Sequence, residues 1–167
     1  MSNNLEHLQW PFFEPRHGDF AQALDTWAAE HVTAHHGPDT DDECRTLVRK
    51  LGAAGWLAPA IAGRQYGGAA EAIETRSICI ARETLARHNG LADFAFAMQG
   101  LGSGSISLAG THEQKAKYLP RVARGEAIAA FALSEPNAGS DVAAMQCTAR
   151  IEGDHVVLDG EKTWISN

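Results

Sequence analysis

The most informative stretch of the sequence lies at residues 131–141 and reads FALSEPNAGSD. It overlaps a short apolar run at residues 127–133, which is bounded by turn residues and therefore predicts a buried strand. A polar loop after a buried strand can direct free backbone amides at an anion or at the carbonyl oxygens of a ring, and Gly139 allows a close approach. The residues alone also permit a simpler interpretation, in which the loop only reverses the chain.

The residues after this loop have the alternating pattern of antiparallel strands. Apolar side chains occupy every second position at residues 147–151 and again at 156–158, and Gly153-Asp154 between them suits a two-residue hairpin turn. Asp159-Gly160 marks a second turn, after which residues 163–166 begin a further strand. Such a small sheet has open edges, so we expect more sequence or another chain to complete it.

The first part of the chain has the apolar spacing of amphipathic helices. Residues 1–18 are expected to be extended, because Pro11 disfavours helix in the residue before it. From Asp19 the period changes to that of a helix, whose apolar face continues to His31. The sequence therefore predicts an α-helical domain at residues 19–126 and the beginning of a β-domain at residues 127–167.

Further helices follow the first one. The second is predicted to begin with Thr40 or Asp41 as its cap, and the last is capped by Thr111 and ends at Gly125. The helix between them that follows Gly90 has almost no charge after Asp93 and is predicted to be the most buried. Its predicted inward line consists of Phe94, Met98, Leu101, Ser105 and Leu108.

Composition and charge exclude several classes of function. The formal net charge is −7 and the 14 Lys and Arg residues are scattered, which argues against a nucleic-acid partner. The longest apolar run, at residues 127–133, is too short to span a membrane. With Glu6 near a start that lacks a basic patch and an apolar core, we expect a cytoplasmic protein.

Cysteines and histidines predict neither a disulfide framework nor a metal site. The 3 cysteines are far apart and odd in number, which favours a reducing compartment. His31 and His35 are spaced i and i+4, with His36 and Asp39 nearby, but no third ligand is evident. We therefore expect solvated histidines at a helix end and no bound metal.

Two motifs together resemble the flavin-binding signature of the acyl-CoA dehydrogenase family. They are FALSEPNAGSD at residues 131–141 and DGEKTWISN at residues 159–167. In the helical half, Tyr66-Gly67-Gly68 and the stretch from Gly110 to Glu126 also stand in the family's order and spacing. The resemblance implies an α+β fold: a mainly α-helical N-terminal domain followed by the first antiparallel strands of an incomplete β-barrel domain.

The resemblance also implies that the chain binds FAD and which residues contact it. The expected contacts are Phe131, Leu133, Ser134, Ser140, Trp164, Ile165 and Ser166. Main-chain groups near Leu133 and Ser134 would address the pyrimidine edge of the flavin, Trp164 would pack on it, and Ser166 would offer a hydroxyl near N5. Many family members have Tyr where this chain has Phe131, and Thr where it has Ser134 and Ser166, so both hydroxyls are retained.

An acyl-CoA thioester is the substrate that the resemblance implies. Ser140 would lie where the FAD pyrophosphate meets the pantetheine arm, and the acyl tail would contact Phe94, Ala97, Met98 and Leu101. Positions 100, 102, 104 and 105 carry small residues, so one face of this helix lacks bulky side chains. This face serves either for helix packing or to leave space for the acyl chain.

The implied reaction is oxidation to the 2-enoyl-CoA, in which a carboxylate removes the α-proton. In the family that carboxylate lies in a C-terminal bundle with no counterpart here, so no catalytic residue is assigned. Glu135 is expected to hold the loop instead.

Partners and alternative functions also follow from the resemblance. The expected partners are a second copy of the chain or a complementing chain, and an electron-transfer flavoprotein. Two other interpretations stay open: a noncatalytic assembly module of the same fold, and a related flavin oxidase or monooxygenase.

Overall fold

The structure is a computed structural model that describes residues 5–32 and 39–166. His35 and His36, and with them most of the proposed metal spacing, lie outside the described residues. The chain divides into two compact units, a helical unit that ends at Ala129 and a second unit that begins at Ala130. The helices and antiparallel strands confirm the predicted α+β fold class.

Five α-helices build the described part of the helical unit. They are α1 (Pro15–His31), α2 (Thr40–Ala53), α3 (Thr75–His88), α4 (Gly90–Ala109) and α5 (His112–Ala123). Short 3-10 turns cover Glu6–Gln9, Ala58–Ala60 and Arg64–Tyr66. The core forms where apolar side chains of α1 to α4 meet, with Leu24, Leu51, Leu85 and Phe96 almost completely buried. No helix among the described residues is long and apolar enough to cross a membrane.

Residues 5–18 do not form the extended segment that was predicted for residues 1–18. Glu6–Gln9 forms a 3-10 turn and α1 begins at Pro15, four residues before Asp19. Proline suits the first turn of a helix because the amide hydrogen that it lacks has no partner there. The Glu14 N–H donates to Nδ1 of His17 at 2.9 Å, which closes this helix start.

Helix caps follow the sequence closely, with one correction. Thr111 caps α5 as predicted: its hydroxyl accepts from Gln114 N at 3.2 Å, and the Gln114 side chain accepts from Thr111 N at 2.8 Å. The cap of α2 is Asp39, whose carboxylate accepts from Asp42 N at 3.0 Å. Thr40 and Asp41, the predicted caps, lie inside the helix because the carboxylate of Asp39 already satisfies its first turn.

The prediction for the inward face of α4 was wrong. Phe94, Leu101 and Leu108 are 38, 50 and 74% exposed. The buried line consists of Ala92, Ala95, Phe96, Gln99, Ser103 and Ser107. A helix that is apolar on every side gives no periodic signal, and the smaller residues allow the closer approach to the core.

The second unit contains an antiparallel hairpin of β1 (Thr148–Glu152) and β2 (His155–Asp159). Glu152 pairs with His155, so the predicted turn at Gly153-Asp154 is confirmed, with φ of +63° at Gly153. Ile151 and Val156 pair on one face, where both stay largely exposed.

Two strand predictions were wrong. Residues 163–166 form no strand among the described residues, because Trp164 has a φ of +58°, which is incompatible with extended backbone. Residues 127–133 also form no strand. The main chain of Ala127 and Ala129 instead bonds to the side chain of Gln99, so this run has no neighbouring strand there.

Candidate functional site

The polar loop of the second unit closes on itself through its backbone. Glu135 N donates to Ala138 O at 2.9 Å and Ala138 N donates back to Glu135 O at 3.2 Å. Pro136 and Asn137 form the turn between them, and both Glu135 and Ala138 are buried. Beyond this turn, Asp141 accepts from Ala143 N at 3.2 Å and begins a single 3-10 turn, Val142–Ala144.

The carboxylate of Glu135 joins this loop to the start of the hairpin. Its oxygens accept from Gln146 N at 2.6 Å and from Cys147 N at 3.0 Å, and Lys162 Nζ lies 2.9 Å away. The Gln146 amide and the Lys162 ammonium lower the pKa of Glu135 below its ordinary value. Glu135 therefore holds the loop, as the sequence predicted, and is an ionised carboxylate with a weakened affinity for protons.

Lys162 and Thr163 bring the two ends of the signature together. Lys162 Nζ donates to Leu133 O at 3.1 Å, in addition to its contact with Glu135. One residue further on, Thr163 N donates to Ser134 O at 2.9 Å. Leu133 and Ser134 are thereby held beside the segment that carries Trp164, although 29 residues separate Thr163 from Ser134 in sequence.

Three of the seven predicted FAD-contacting residues are half-buried and four are exposed. The half-buried ones are Leu133, Ser134 and Ile165, and the exposed ones are Phe131, Ser140, Trp164 and Ser166. The structure brings Leu133 and Ser134 close to the 162–166 segment. Ser140 lies beyond the Glu135–Ala138 turn. No backbone hydrogen bond among the described residues connects it to the other six.

Trp164 is the most unusual residue of this group. Its side chain is 91% exposed and its φ is +58°, a conformation that is uncommon for any residue other than glycine. Because the indole is so exposed, packing within the described part of this unit does not offset the strain of its backbone. Strained residues of this kind concentrate at binding sites, where a ligand supplies the missing contact.

The groups present at this loop fit a flavin ring. No described residue accepts a hydrogen bond from the N–H groups of Leu133 and Ser134, so both remain available as donors. Gly139 has no atom within 4 Å of the position that a Cβ would take, which leaves the backbone approachable. Amide donors beside an open aromatic face suit a ring that has polar edges and flat faces.

A cleft of about 440 Å³ lies between the polar loop and the hairpin. Glu135, Asn137, Asp159 and Glu161 contribute to its lining, and none of the seven predicted FAD-contacting residues does. Its acidic lining is unsuited to phosphate groups. Among the described residues, no group of three or more His, Cys, Asp or Glu side chains could hold a metal ion.

The predicted acyl-contacting residues of the helical unit share one accessible face of α4. Phe94, Ala97, Met98 and Leu101 recur at helical spacing, and each is half-buried or exposed. Their side chains are therefore available to a ligand. Of the small residues on this helix, Gly100 packs with its Cβ position 3.1 Å from Ala60, whereas Gly104 has open space around it.

Sequence reasoning missed two residues that organise these segments, Lys162 and Gln99. Lys162 has a detectable signal, since a lone cation on the returning segment can pair with an acid of the polar loop, here Glu135. Gln99 has a weaker sequence signal: it places an amide side chain on a largely apolar helix, and a buried amide must find hydrogen-bond partners.

Two family models match this chain. The N-terminal domain of acyl-CoA dehydrogenase matches residues 14–126, and the middle domain matches residues 130–167. The chain belongs to the acyl-CoA dehydrogenase family. The second match begins one residue before Phe131, the first residue of the FALSEPNAGSD motif.

Individual relatives of the family agree with this membership. A probable acyl-CoA dehydrogenase, FadE25 of Mycobacterium tuberculosis, is 36% identical over 142 residues, which are 83% of this chain and 36% of that protein. Acyl-CoA dehydrogenase from Bacillus anthracis, solved in complex with FAD, is 34% identical with a TM-score of 0.77, and the match covers 93% of this chain and 27% of that one. A chain of the ChsE4-ChsE5 complex from M. tuberculosis is 27% identical with a TM-score of 0.71, over 91% and 39%. This chain therefore spans less than half the length of each of these three proteins.

Proposed function

We propose that this chain is part of a flavin-dependent acyl-CoA dehydrogenase that binds FAD and oxidises an acyl-CoA thioester to the 2-enoyl-CoA. The observation that carries the proposal is the clasp made by Lys162 and Thr163, which holds Leu133 and Ser134 beside the segment of Trp164. Family membership and the FAD complex of the B. anthracis relative support the same cofactor.

The two segments that Lys162 and Thr163 join would contact different parts of FAD. The N–H groups of Leu133 and Ser134 would donate to the polar edge of the flavin, and the ring of Trp164 would cover its face. Ser166 would supply a hydroxyl, and Phe131 and Ile165 would make apolar contacts. FAD, when bound, supplies the two-electron acceptor for the oxidation. Donors fixed at the ring edge before the reaction stabilise the charge that reduction adds there.

Glu135 does not act as the base that removes the α-proton. Its oxygens are occupied by two backbone amides and by Lys162, and its pKa is lowered, so it has little affinity for a proton. A carboxylate outside this chain has that task, which is consistent with the chain spanning 36% of the length of FadE25.

The substrate contacts proposed for this chain are apolar, apart from Ser140. The face of α4 that carries Phe94, Ala97, Met98 and Leu101 is open enough to contact an acyl tail. Gly104 leaves additional space on the same helix. Ser140, at the exposed end of the polar loop, would hydrogen-bond the pantetheine arm or the pyrophosphate.

Flavin content and turnover test the proposal together. The protein, purified in its full-length form, should show flavin absorbance and convert acyl-CoA thioesters to 2-enoyl-CoA with an artificial electron acceptor. Trp164→Ala should weaken FAD binding about fivefold or more, since the stacking of one aromatic side chain contributes roughly 1 kcal/mol or more. Trp10→Ala is the matched control, because Trp10 is also exposed, at 59%, but lies in the helical unit.

Two results would contradict this function. A full-length protein that lacks flavin even after incubation with FAD would remove the cofactor assignment. A flavin-loaded protein that reduces oxygen and forms no enoyl product would favour the alternative of a flavin oxidase or monooxygenase.

A second candidate is a noncatalytic or complementing chain that works with a partner. The observation that favours it is the likeness to a chain of the two-protein ChsE4-ChsE5 complex. We expect this chain alone to bind FAD weakly and to turn over nothing, because its hairpin has open edges and an exposed apolar face. Tight stoichiometric binding of FAD by the isolated chain would contradict that expectation.

The remaining partners and the location are proposals that derive from the family. We propose a homo-oligomer or a complementing chain, an electron-transfer flavoprotein as electron acceptor, and a cytoplasmic location. Size-exclusion chromatography with light scattering, reduction of a purified electron-transfer flavoprotein, and cell fractionation test them separately.

A further inference from the structure

The ammonium group of Lys162 contacts a peptide unit of the proposed flavin site. Its Nζ donates to Leu133 O at 3.1 Å and to Oε1 of Glu135 at 2.9 Å. The side chains of Lys162 and Glu135 are only 26% and 6% exposed. Because solvent screens shielded charges weakly, this ion pair acts on its surroundings more strongly than an exposed pair does.

Lys162 donates to the same peptide unit whose N–H is proposed to contact FAD. The carbonyl of Leu133 and the N–H of Ser134 belong to one trans peptide, so they point in opposite directions. A hydrogen bond to the carbonyl polarises the whole unit and strengthens its N–H as a donor, and a charged donor does so more than a neutral one. No described residue accepts a hydrogen bond from this N–H. The peptide therefore connects the charge of Lys162 to the place where the flavin edge would lie.

The other hydrogen bond of the clasp acts on a different peptide unit. Thr163 N donates to Ser134 O at 2.9 Å. The N–H of that unit belongs to Glu135, and it already donates to Ala138 O at 2.9 Å. Thr163 therefore fastens the loop without acting on the Ser134 N–H, whereas Lys162 fastens the loop and also brings a charge to the site.

We propose that Lys162 is a positioning residue that tunes FAD: its ammonium polarises the Leu133–Ser134 peptide, so that the Ser134 N–H stabilises reduced FAD more than oxidised FAD. The inference rests on the function proposed above, because it needs a flavin at Ser134. In that reaction the substrate loses a proton and a hydride, and the hydride carries two electrons to FAD. Negative charge then grows at the ring edge, where a stronger donor favours the reduced form. The carboxylate of Glu135 lies against the same ammonium and opposes this effect.

The test measures the reduction potential of bound FAD in the full-length protein and compares Lys162→Met, Lys162→Arg and Glu135→Gln. Lys162→Met should lower the preference for reduced over oxidised FAD about tenfold, which is about 30 mV for a two-electron couple. Lys162→Arg keeps the charge, so its potential should lie close to that of the wild type. Glu135→Gln removes the opposing charge and should shift the potential the other way, to a higher value.

Arg150→Met is the matched control within the second unit. Arg150 also pairs with a carboxylate, that of Glu152 at 2.6 Å, but both side chains are 56% exposed. Solvent screens this pair, so the potential should stay at the wild-type value. Limited proteolysis of the polar loop in each variant measures how far the loop opens, independently of the bound flavin.

The outcomes separate this inference from the function on which it rests. Opposite shifts in Lys162→Met and Glu135→Gln support the tuning role even where both variants open the loop, because a looser loop moves the potential in one direction only. Shifts in the same direction, or a Lys162→Met potential equal to that of the wild type, overturn it, because Lys162 would then be only structural. A wild-type protein that takes up no FAD overturns the proposed function and the tuning role together, and it does so before any variant is compared.

Discussion

The Glu74→Gln substitution removes a carboxylate on which four hydrogen-bonding groups of the helical unit converge, with the Arg16 guanidinium 3.7 Å away. Glu74 caps α3: its Oε2 accepts from Ser77 N at 3.1 Å and also from the Ser77 hydroxyl. Arg76 Nε donates to Oε1 at 2.8 Å, and His17 Nε2 lies 3.3 Å from Oε2. Because Glu14 N donates to Nδ1 of His17, the proton of this completely buried ring is on Nε2 and faces Glu74.

The magnitude follows from the pKa of Glu74. Partial burial raises this pKa, but the hydrogen bonds from Ser77, Arg76 and His17 outweigh it and lower the pKa from its ordinary 4.5 to about 2. That difference corresponds to about 3 kcal/mol, since each pKa unit is about 1.4 kcal/mol. The side chain is 20% exposed, so we expect Glu74→Gln to lower the free energy of unfolding by about 2–3 kcal/mol at pH 7.

The dependence on pH distinguishes this cause from a simple loss of packing. A carboxylate whose pKa is lowered by folding stabilises the fold above pH 4.5, and this contribution is lost as the pH falls towards 2. The difference between wild type and Glu74→Gln should therefore shrink over that range and vanish near pH 2. Trp27 and Trp56, which pack 6.1 Å apart in the helical unit, report its unfolding in denaturant by fluorescence.

A matched control is Glu83→Gln on the same helix. Glu83 is 47% exposed and faces only His7 among its ion-pair partners in the described chain, so its loss should cost less than about 1 kcal/mol. A Glu74→Gln variant as stable as wild type at pH 7, or an undiminished difference at pH 2, would refute the reasoning.

Three further substitutions test other parts of the structure. Gly125→Ala should destabilise the helical unit by about 2 kcal/mol or more in a denaturant titration, because φ is +69° and the new Cβ would lie 2.3 Å from a backbone oxygen of α2. Gly55→Ala is its control: φ is +81° but the space around the position is open, so this substitution should cost only about 1 kcal/mol. Thr111→Ala removes the capping box of α5 and should lower stability by about 1 kcal/mol, and an unchanged thermal midpoint would contradict this. Lys162→Met should release the loop at Glu135, which limited proteolysis would detect as faster cleavage there, together with weaker FAD binding.

The sequence predicted those elements whose signals lie within a few neighbouring residues. The hairpin turn at Gly153-Asp154 and the cap at Thr111 are local, and both are confirmed. The inward face of α4 could not be predicted, because a helix that is apolar on all sides buries whichever face lets its neighbours approach most closely. The backbone at Trp164 could not be predicted either, since a positive φ there contradicts the strong strand preference of the residues around it.

The residues of the candidate site stay a prediction from the sequence, and the residues that hold them were not predicted. The resemblance named Leu133, Ser134 and Trp164, and the structure bonds Leu133 and Ser134 to the two residues that precede Trp164. The resemblance did not name Lys162 or Gln99, whose partners are 27 to 30 residues away in the sequence. Contacts of that range depend on the folded chain. The sequence marks Lys162 as a lone cation and Gln99 as an amide on an apolar helix, but it does not specify their partners.

The second unit differs from the helical unit in what gives it order. Among its described residues only Glu135 and Ala138 are buried, while Ile151, Val156 and Leu158 of the hairpin are 81, 63 and 73% exposed. A two-stranded hairpin without an apolar core is marginal in water, so the hydrogen bonds of Glu135 carry most of the order in this unit. Lys162→Met should therefore leave the fluorescence transition of the helical unit unchanged while it opens the loop, whereas Glu74→Gln should do the reverse. A shift of the helical transition by Lys162→Met would mean that the two units unfold as one.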